Sequence, residues 1–347
     1  MDKKNTTLGI LLAVPVITIW GVTFVCTKAL LKDFSSLEIL FIRYTAAYLI
    51  LWLFYPHRLK IREKSQEAYF ILAGLTGVVI YQLMENIAIH YTNASNVSII
   101  VSICPMFTAI LSRIILKEKT LTPAFLIGFV ISILGVSLVS FNGVMEFHLS
   151  PKGDILAMIS GISWGFYSIF VSKMNRLCYN PIASIRRVFF YSVIFMLPLI
   201  LAGALPDLLQ NFNAGSGFLG KIKESSFYVN LSPEINRSRF SKPLTWVNLL
   251  FLGFLASSFC FAAWNKSCQL LGTVRATIGI YLIPVVTILF AFIFLGEKIS
   301  LMGAVGTVFT ILGVVIAGLK KDRGQREGVR AAGLKKPDGK QDGGFEE

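Results

Sequence analysis

The chain has 347 residues, of which 54% are hydrophobic and 15% charged, against roughly a quarter charged in an ordinary soluble domain. Phenylalanine occurs 28 times against 19 acidic residues, which excludes a single soluble core, a disordered chain, a collagen-like repeat and a disulfide scaffold. The net charge of +14 does not call for nucleic acid, because a multi-pass membrane protein gathers Lys and Arg in its cytoplasmic loops.

A hydrocarbon layer about 30 Å thick takes about 20 apolar residues of helix. Runs of this kind predict ten spans, at residues 8–31, 37–55, 68–90, 96–116, 123–141, 154–172, 185–205, 246–268, 276–295 and 300–319. Only Met1 to Thr7 precede the first run, too few for a signal peptide, so it is expected to stay as an uncleaved span. The stretch from 206 to 243 is expected to be an extracytoplasmic loop. After Leu319 the composition turns to Lys, Arg, Gly, Asp and Gln, which predicts a disordered tail over 320–347. The five cysteines (Cys26, Cys104, Cys178, Cys260, Cys268) are scattered without a CxxC, so neither a disulfide nor a metal site is expected.

With the N-terminus inside, the inner segments carry 21 Lys and Arg and the outer ones 8. Five of those 8 lie in the long loop. The asymmetry predicts a cytoplasmic (plasma) membrane protein with both termini in the cytoplasm.

Comparison of the chain with itself adds an internal repeat. A shift of 144 residues lays Trp20-Gly21 on Trp164-Gly165 and Arg43 on Arg187. A shift of 179 lays Gly74 on Gly253, Asn86 on Asn265, Pro105 on Pro284 and Glu118-Lys119 on Glu297-Lys298. Between 96 and 119 this second shift gives seven identities in 24 positions, where chance supplies about two. The change of shift falls where the second half carries its long loop. The predicted fold is therefore an all-α integral membrane protein of ten transmembrane helices, built as two five-helix repeats over 8–141 and 154–319. Five is odd, so the second copy enters the membrane from the opposite side. Inverted repeats of this kind can open one central site to either side in turn, the requirement of alternating access.

Trp20-Gly21 followed by Lys28, Arg43 early in the second span, Pro105 ahead of Glu118-Lys119, and the counterparts Trp164-Gly165, Arg187, Pro284 and Glu297-Lys298 resemble the paired EamA domains of the drug/metabolite transporter superfamily. The resemblance covers residues 8 to 319. It implies a ten-helix exporter or permease for small metabolites, such as amino acids, with no bound cofactor.

Ionisable groups within a span are costly and so are candidates for function. Glu85 is the acidic residue set deepest, with Tyr81 one turn before it and Gln82, Asn86 and His90 continuing a polar stripe at helical spacing. Arg43 is expected at a similar depth. The Glu85–Arg43 pair reads either as a coupling pair, with Glu85 binding a proton or a substrate amine, or as an ion pair that fixes two helices. Pro105 and Pro284 occupy equivalent points, where a lost hydrogen bond frees a carbonyl or permits a hinge. Trp20, Trp164, Tyr167, Trp264, Asn265 and Tyr281 fall inside spans and fit an amphipathic lining for a small solute, or helix packing. Ser95, Ser98, Ser102 and Ser112 recur at helical spacing and suit close helix contact, with Ser102 also placed on the expected path.

Gly161-Ile162-Ser163-Trp164-Gly165 matches the GxSxG nucleophile elbow in letters only, because that motif needs a strand and a tight turn. The same letters are a GxxxG packing motif. No Walker A or HExxH sequence occurs. The expected function is secondary transport, not enzymatic catalysis. Its expected partners are a small-molecule substrate, the lipid bilayer and protons, with the chain acting as a monomer or homodimer and no nucleic acid involved. Nucleotide sugars are a weaker substrate class, since a phosphate-rich ligand would want more arginines than Arg43, Arg187 and Arg275.

Overall fold

A computed structural model describes residues 3–91, 97, 100–141, 150–210, 237–286, 289–290 and 300–318. Every regular element among them is helical. In chain order these are α1 (Lys3–Leu30), α2 (Ser36–Phe54), α3 (Glu67–Gly74) and α4 (Tyr81–Tyr91), α5 (Cys104–Ile115), α6 (Pro123–Phe141), α7 (Pro151–Arg176), α8 (Pro181–Gln210), α9 (Pro243–Leu250), α10 (Cys260–Leu271), α11 (Thr273–Ile278) and α12 (Leu301–Gly318). A π-helical turn, Leu75–Ile80, joins α3 to α4, and a second, Phe251–Phe259, joins α9 to α10.

Seven helical stretches are long and apolar enough to cross a membrane: Lys4–Thr23, Ser36–Phe54, Lys64–Ala88, Pro151–Arg176, Pro181–Leu201, Pro243–Leu271 and Leu301–Gly318. Three shorter apolar helices, Cys104–Ile115, Pro123–Val139 and Thr273–Val286, lie where the fourth, fifth and ninth spans are predicted. The expected tail 320–347, most of the loop 206–243, the Glu297-Lys298 pair, Ser95 and Ser98 lie outside the described residues, as do the side chains of Lys28 and His90.

The surface explains why these helices suit a bilayer. Leu11, Leu53, Phe54, Ile114, Leu201 and Leu301 are among many large apolar side chains left exposed, an arrangement that water would penalise and lipid would not. The ends of the helices are finished by local chemistry. Ser35 and Glu38 form a reciprocal capping box at the start of α2, and Ser150 caps α7. The ends of α5, α7 and α10 pass through left-handed residues, Lys117, Cys178 and Gly272, which turn the chain sharply at one end of the molecule.

Among the described residues, α6 and α12, one from each half of the chain, pack closest. Gly128 and Gly135 face Gly306, Gly313, Thr310 and Ala317 so tightly that a Cβ at Gly128 or Gly135 would meet backbone atoms of α12. The largest core cluster brings together α1, α2, α4, α7, α8 and α10, and contains Trp20, Tyr44, Trp164, Tyr167, Phe261 and Trp264.

The two prolines stand differently from expectation. Pro105 is not in mid-helix: it lies in the first turn of α5, directly after a break at Ser102–Ile103. A missing N–H costs nothing there. Pro284 likewise follows a tight 3-10 turn, Gly279–Leu282. Each proline therefore marks where a helix restarts.

Candidate functional site

α1, α7 and α10 each bring one tryptophan to the centre of the core. Trp20 packs edge-on to Trp164, with ring centroids 5.8 Å apart, and tilted against Trp264 at 5.2 Å. Tyr81 from α4 lies 4.9 Å from Trp164, and Tyr167 lies 5.0 Å from it on the other side. Phe261 closes the group against Trp20 at 5.6 Å. The Trp20, Trp164, Trp264 and Tyr167 side chains are all buried. They are thus inside the protein and form no interfacial belt.

Charge reaches the edge of this aromatic group from α2 and α4. Glu85 is buried, and its carboxylate accepts a hydrogen bond from the Tyr81 hydroxyl. Arg43 is also buried. Its Nε donates to Ser257 Oγ at 2.5 Å, and a terminal nitrogen donates to Gln82 Oε1 at 3.2 Å. Gln82 and Glu85 are one turn apart on α4, so Arg43 remains close enough for its charge to act on the carboxylate. Asn86 follows Glu85 and is buried.

Several polar atoms in this region are left without a partner. Trp164 Nε1, Tyr167 Oη, Asn265 Oδ1 and Tyr281 Oη are buried with no hydrogen bond among the described residues. Each such group costs about 1–3 kcal/mol. The residues carrying them are all ones expected from sequence to line a path. Tyr281 stands apart from the indole group, in a second apolar cluster with Ala109, Phe125, Ile278 and Ala317. Ser102 is buried at the break before α5.

Below the aromatic group lies an open cleft of about 260 Å³, lined by Glu118, Thr120, Ser172, Asn175, Arg176, Cys268, Gln269, Thr273 and Arg275 among others. It opens at the end of the molecule that holds the start of α1, since Ser267 donates to the Gly9 carbonyl at 2.9 Å. Glu118 spans it to Arg176 at 2.6 Å. At the opposite end the Arg239 guanidinium gives two hydrogen bonds to Glu38 and one to the Asp33 carbonyl, and Lys242 pairs with Asp33.

The Ser163 hydroxyl donates to the Thr76 carbonyl at 2.7 Å from within α7, which is helical and has no strand–turn elbow there. Gly161 and Gly165 instead admit Phe107, as a packing motif should. Sequence reasoning missed Ser257, the cleft and the Arg239–Glu38 contact. The spacing of Ser172, Asn175 and Arg176 on one helical face was the available signal for the cleft. Arg187, the counterpart of Arg43, serves elsewhere: it forks onto Glu67 with two 2.6 Å hydrogen bonds, and Tyr191 also donates to that carboxylate.

A model of the EamA-like transporter family matches residues 7–141 and 227–319. The chain is 28% identical over 321 residues to an uncharacterized transporter of Archaeoglobus fulgidus, covering 91% of this chain and 99% of that one. It is 23% identical over 245 residues to a probable terminal-alkyne amino-acid exporter of Streptantibioticus cattleyicolor, covering 71% of each. A solved crystal structure superposes with a TM-score of 0.65 at 14% identity, over 91% of this chain and 98% of that chain. With the family model matching well over half its length, the chain belongs to the EamA-like transporter family.

Proposed function

We propose that this multi-pass membrane protein is a secondary transporter that carries a small amine-bearing metabolite, such as an amino acid, outward across the cytoplasmic membrane. The observation that carries the reading is the meeting of Trp20, Trp164 and Trp264, drawn from both halves of the chain, beside Glu85, Arg43 and unpartnered polar atoms. Indole faces and a carboxylate suit an ammonium group. A guanidinium suits a carboxylate. The name of the Streptantibioticus relative supports the same class.

In this reading Trp20, Tyr81, Glu85, Asn86, Ser102, Trp164, Tyr167, Trp264, Asn265 and Tyr281 line the path, with helix bending at Pro105 and Pro284. Glu85, biased by Arg43, carries the coupling proton. Ten spans arranged as inverted repeats over 8–141 and 154–319, with both termini in the cytoplasm, give alternating access. Features that recur at the offset of the sequence identities support the repeat. The Tyr81 amide bonds the carbonyl of Thr76 and the Cys260 amide that of Leu255, each pair 179 residues apart.

Counterflow of labelled amino acids into proteoliposomes, with and without an imposed pH gradient, tests the proposal. Wild-type movement is expected to accelerate with the gradient, and Glu85→Gln is expected to lose that acceleration. Full acceleration in Glu85→Gln would remove the coupling role. Movement of nucleotide sugars in place of amino acids would overturn the substrate class, and no movement of any solute would overturn transport.

A further inference from the structure

The two π-helical turns hold the information the site alone does not use. A π-helical segment takes more residues per turn than an α-helix, so each extra residue rotates the side chains beyond it by about 100° about the helix axis and leaves them about 1.5 Å short of their place in an unbroken helix. Tyr81, Gln82 and Glu85 begin directly after the first turn, and Phe261, Trp264 and Asn265 directly after the second. The turns therefore set which side chains of α4 and α10 face the centre.

Each turn is also held from the opposite half of the chain. The Thr76 carbonyl accepts the Tyr81 amide five residues on, and it accepts the Ser163 hydroxyl of α7 at 2.7 Å as well. In the other turn the Ala256 carbonyl accepts Trp20 Nε1 of α1 at 3.1 Å. Ser257, next in that turn, takes the Arg43 hydrogen bond. Gly77 lies so close to Tyr167 that a Cβ there would run into the ring. Both contacts from Ser163 and Trp20 are to backbone, so they read the turn's shape and not its side chains.

We propose that Ser163 and Trp20 are positioning residues for transport, each holding one π-helical turn in the register that presents the central site, and that release of these hydrogen bonds lets α4 and α10 change register as access alternates. The register change rests on the transport reading; the holding of the turns does not. In the step itself the Ser163 hydroxyl and the Tyr81 amide leave the Thr76 carbonyl, which then takes the Ile80 amide four residues on, and Trp20 Nε1 leaves the Ala256 carbonyl, which takes the Cys260 amide released by the Leu255 carbonyl, as in an α-helix. No bond other than hydrogen bonds is made or broken.

The test uses the full chain in lipid nanodiscs, with Ser163→Ala, Ser163→Thr and Trp20→Phe. Amide hydrogen exchange of 75–81 is expected to rise about tenfold in Ser163→Ala, the loss of one net hydrogen bond, with 251–260 unchanged. Trp20→Phe is expected to show the reverse pattern, and Ser163→Thr, which keeps the hydroxyl, to match wild type. In counterflow of labelled amino acids, Ser163→Ala is expected to lower the maximal rate about tenfold with half-saturation within twofold. Exchange unchanged in both Ser163→Ala and Trp20→Phe would overturn the holding role. A rate loss matched by an equal rise in half-saturation would overturn the register role, since the residue would then serve only the bound site. A wild-type chain that moves no solute would sink the transport reading, and with it the register change, while the exchange results still decide whether the turns are held.

Discussion

Replacing Arg239 tests the physics of the buried ion pair at the end of α1 and the start of α2. The Arg239 and Glu38 side chains are each only 9% exposed, and they meet through two hydrogen bonds of 2.7 and 3.0 Å. The planar cation also lies 4.3 Å from the Phe34 ring and 5.2 Å from that of Phe240. Arg239→Ala leaves a buried carboxylate without its partner, for which the expected cost is about 3–5 kcal/mol. Glu38→Ala should cost a similar amount, plus about 1 kcal/mol because Glu38 also accepts the Ser35 amide in the capping box. The double variant should cost less than the sum, with a coupling of about 2–3 kcal/mol. Lys242–Asp33 is an internal control: at 58% and 31% exposure it should be worth no more than about 1 kcal/mol. Equilibrium unfolding of the four chains in mixed micelles measures the cycle. A coupling below about 0.5 kcal/mol would refute the reasoning, because the pair would then be behaving as a solvated one.

Two further outcomes follow from geometry described above. Gly135→Val should destabilise by more than about 3 kcal/mol, since the new side chain meets the α12 backbone at Thr310 and Gly306 where no rotamer can move aside; a melting temperature equal to wild type would count against that contact. Arg176→Ala should leave stability within about 1 kcal/mol, the Arg176–Glu118 pair being 56% and 40% exposed. If that pair closes the cleft during transport, the same variant changes the counterflow rate at constant melting temperature.

The sequence made the apolar spans legible because a bilayer imposes a length and charge punctuates it. It also made Trp20, Trp164, Trp264, Tyr167 and Glu85 stand out, since aromatic and acidic side chains deep in a span have few structural excuses. Three things were hidden for physical reasons. A π turn differs from an α turn by one residue and carries no composition of its own, so nothing in Leu75–Ile80 announces it. The Arg43 partner Ser257 lies 214 positions away, and a serine in a helix is usually spent on its own backbone. Arg239 sits in a stretch whose basic residues count towards topology, so its contact with Glu38 was masked by a statistic that ignores pairing. The position of Pro105 in a first helical turn, and of Pro284 just after a 3-10 turn, was not legible, because a proline that starts a helix and one that kinks it look alike in sequence.

The α6–α12 pair has a consequence for how a molecule of this kind can move. Where helices meet through side chains, rotamers act as springs and the two can slide. Here backbone lies close on backbone at Gly128, Gly135, Gly306 and Gly313, with only short groups such as the Ser132 and Thr310 hydroxyls between them. The pair is a keel: it joins α6 and α12 into one stiff member, and the alternation of access proposed above would take place around it.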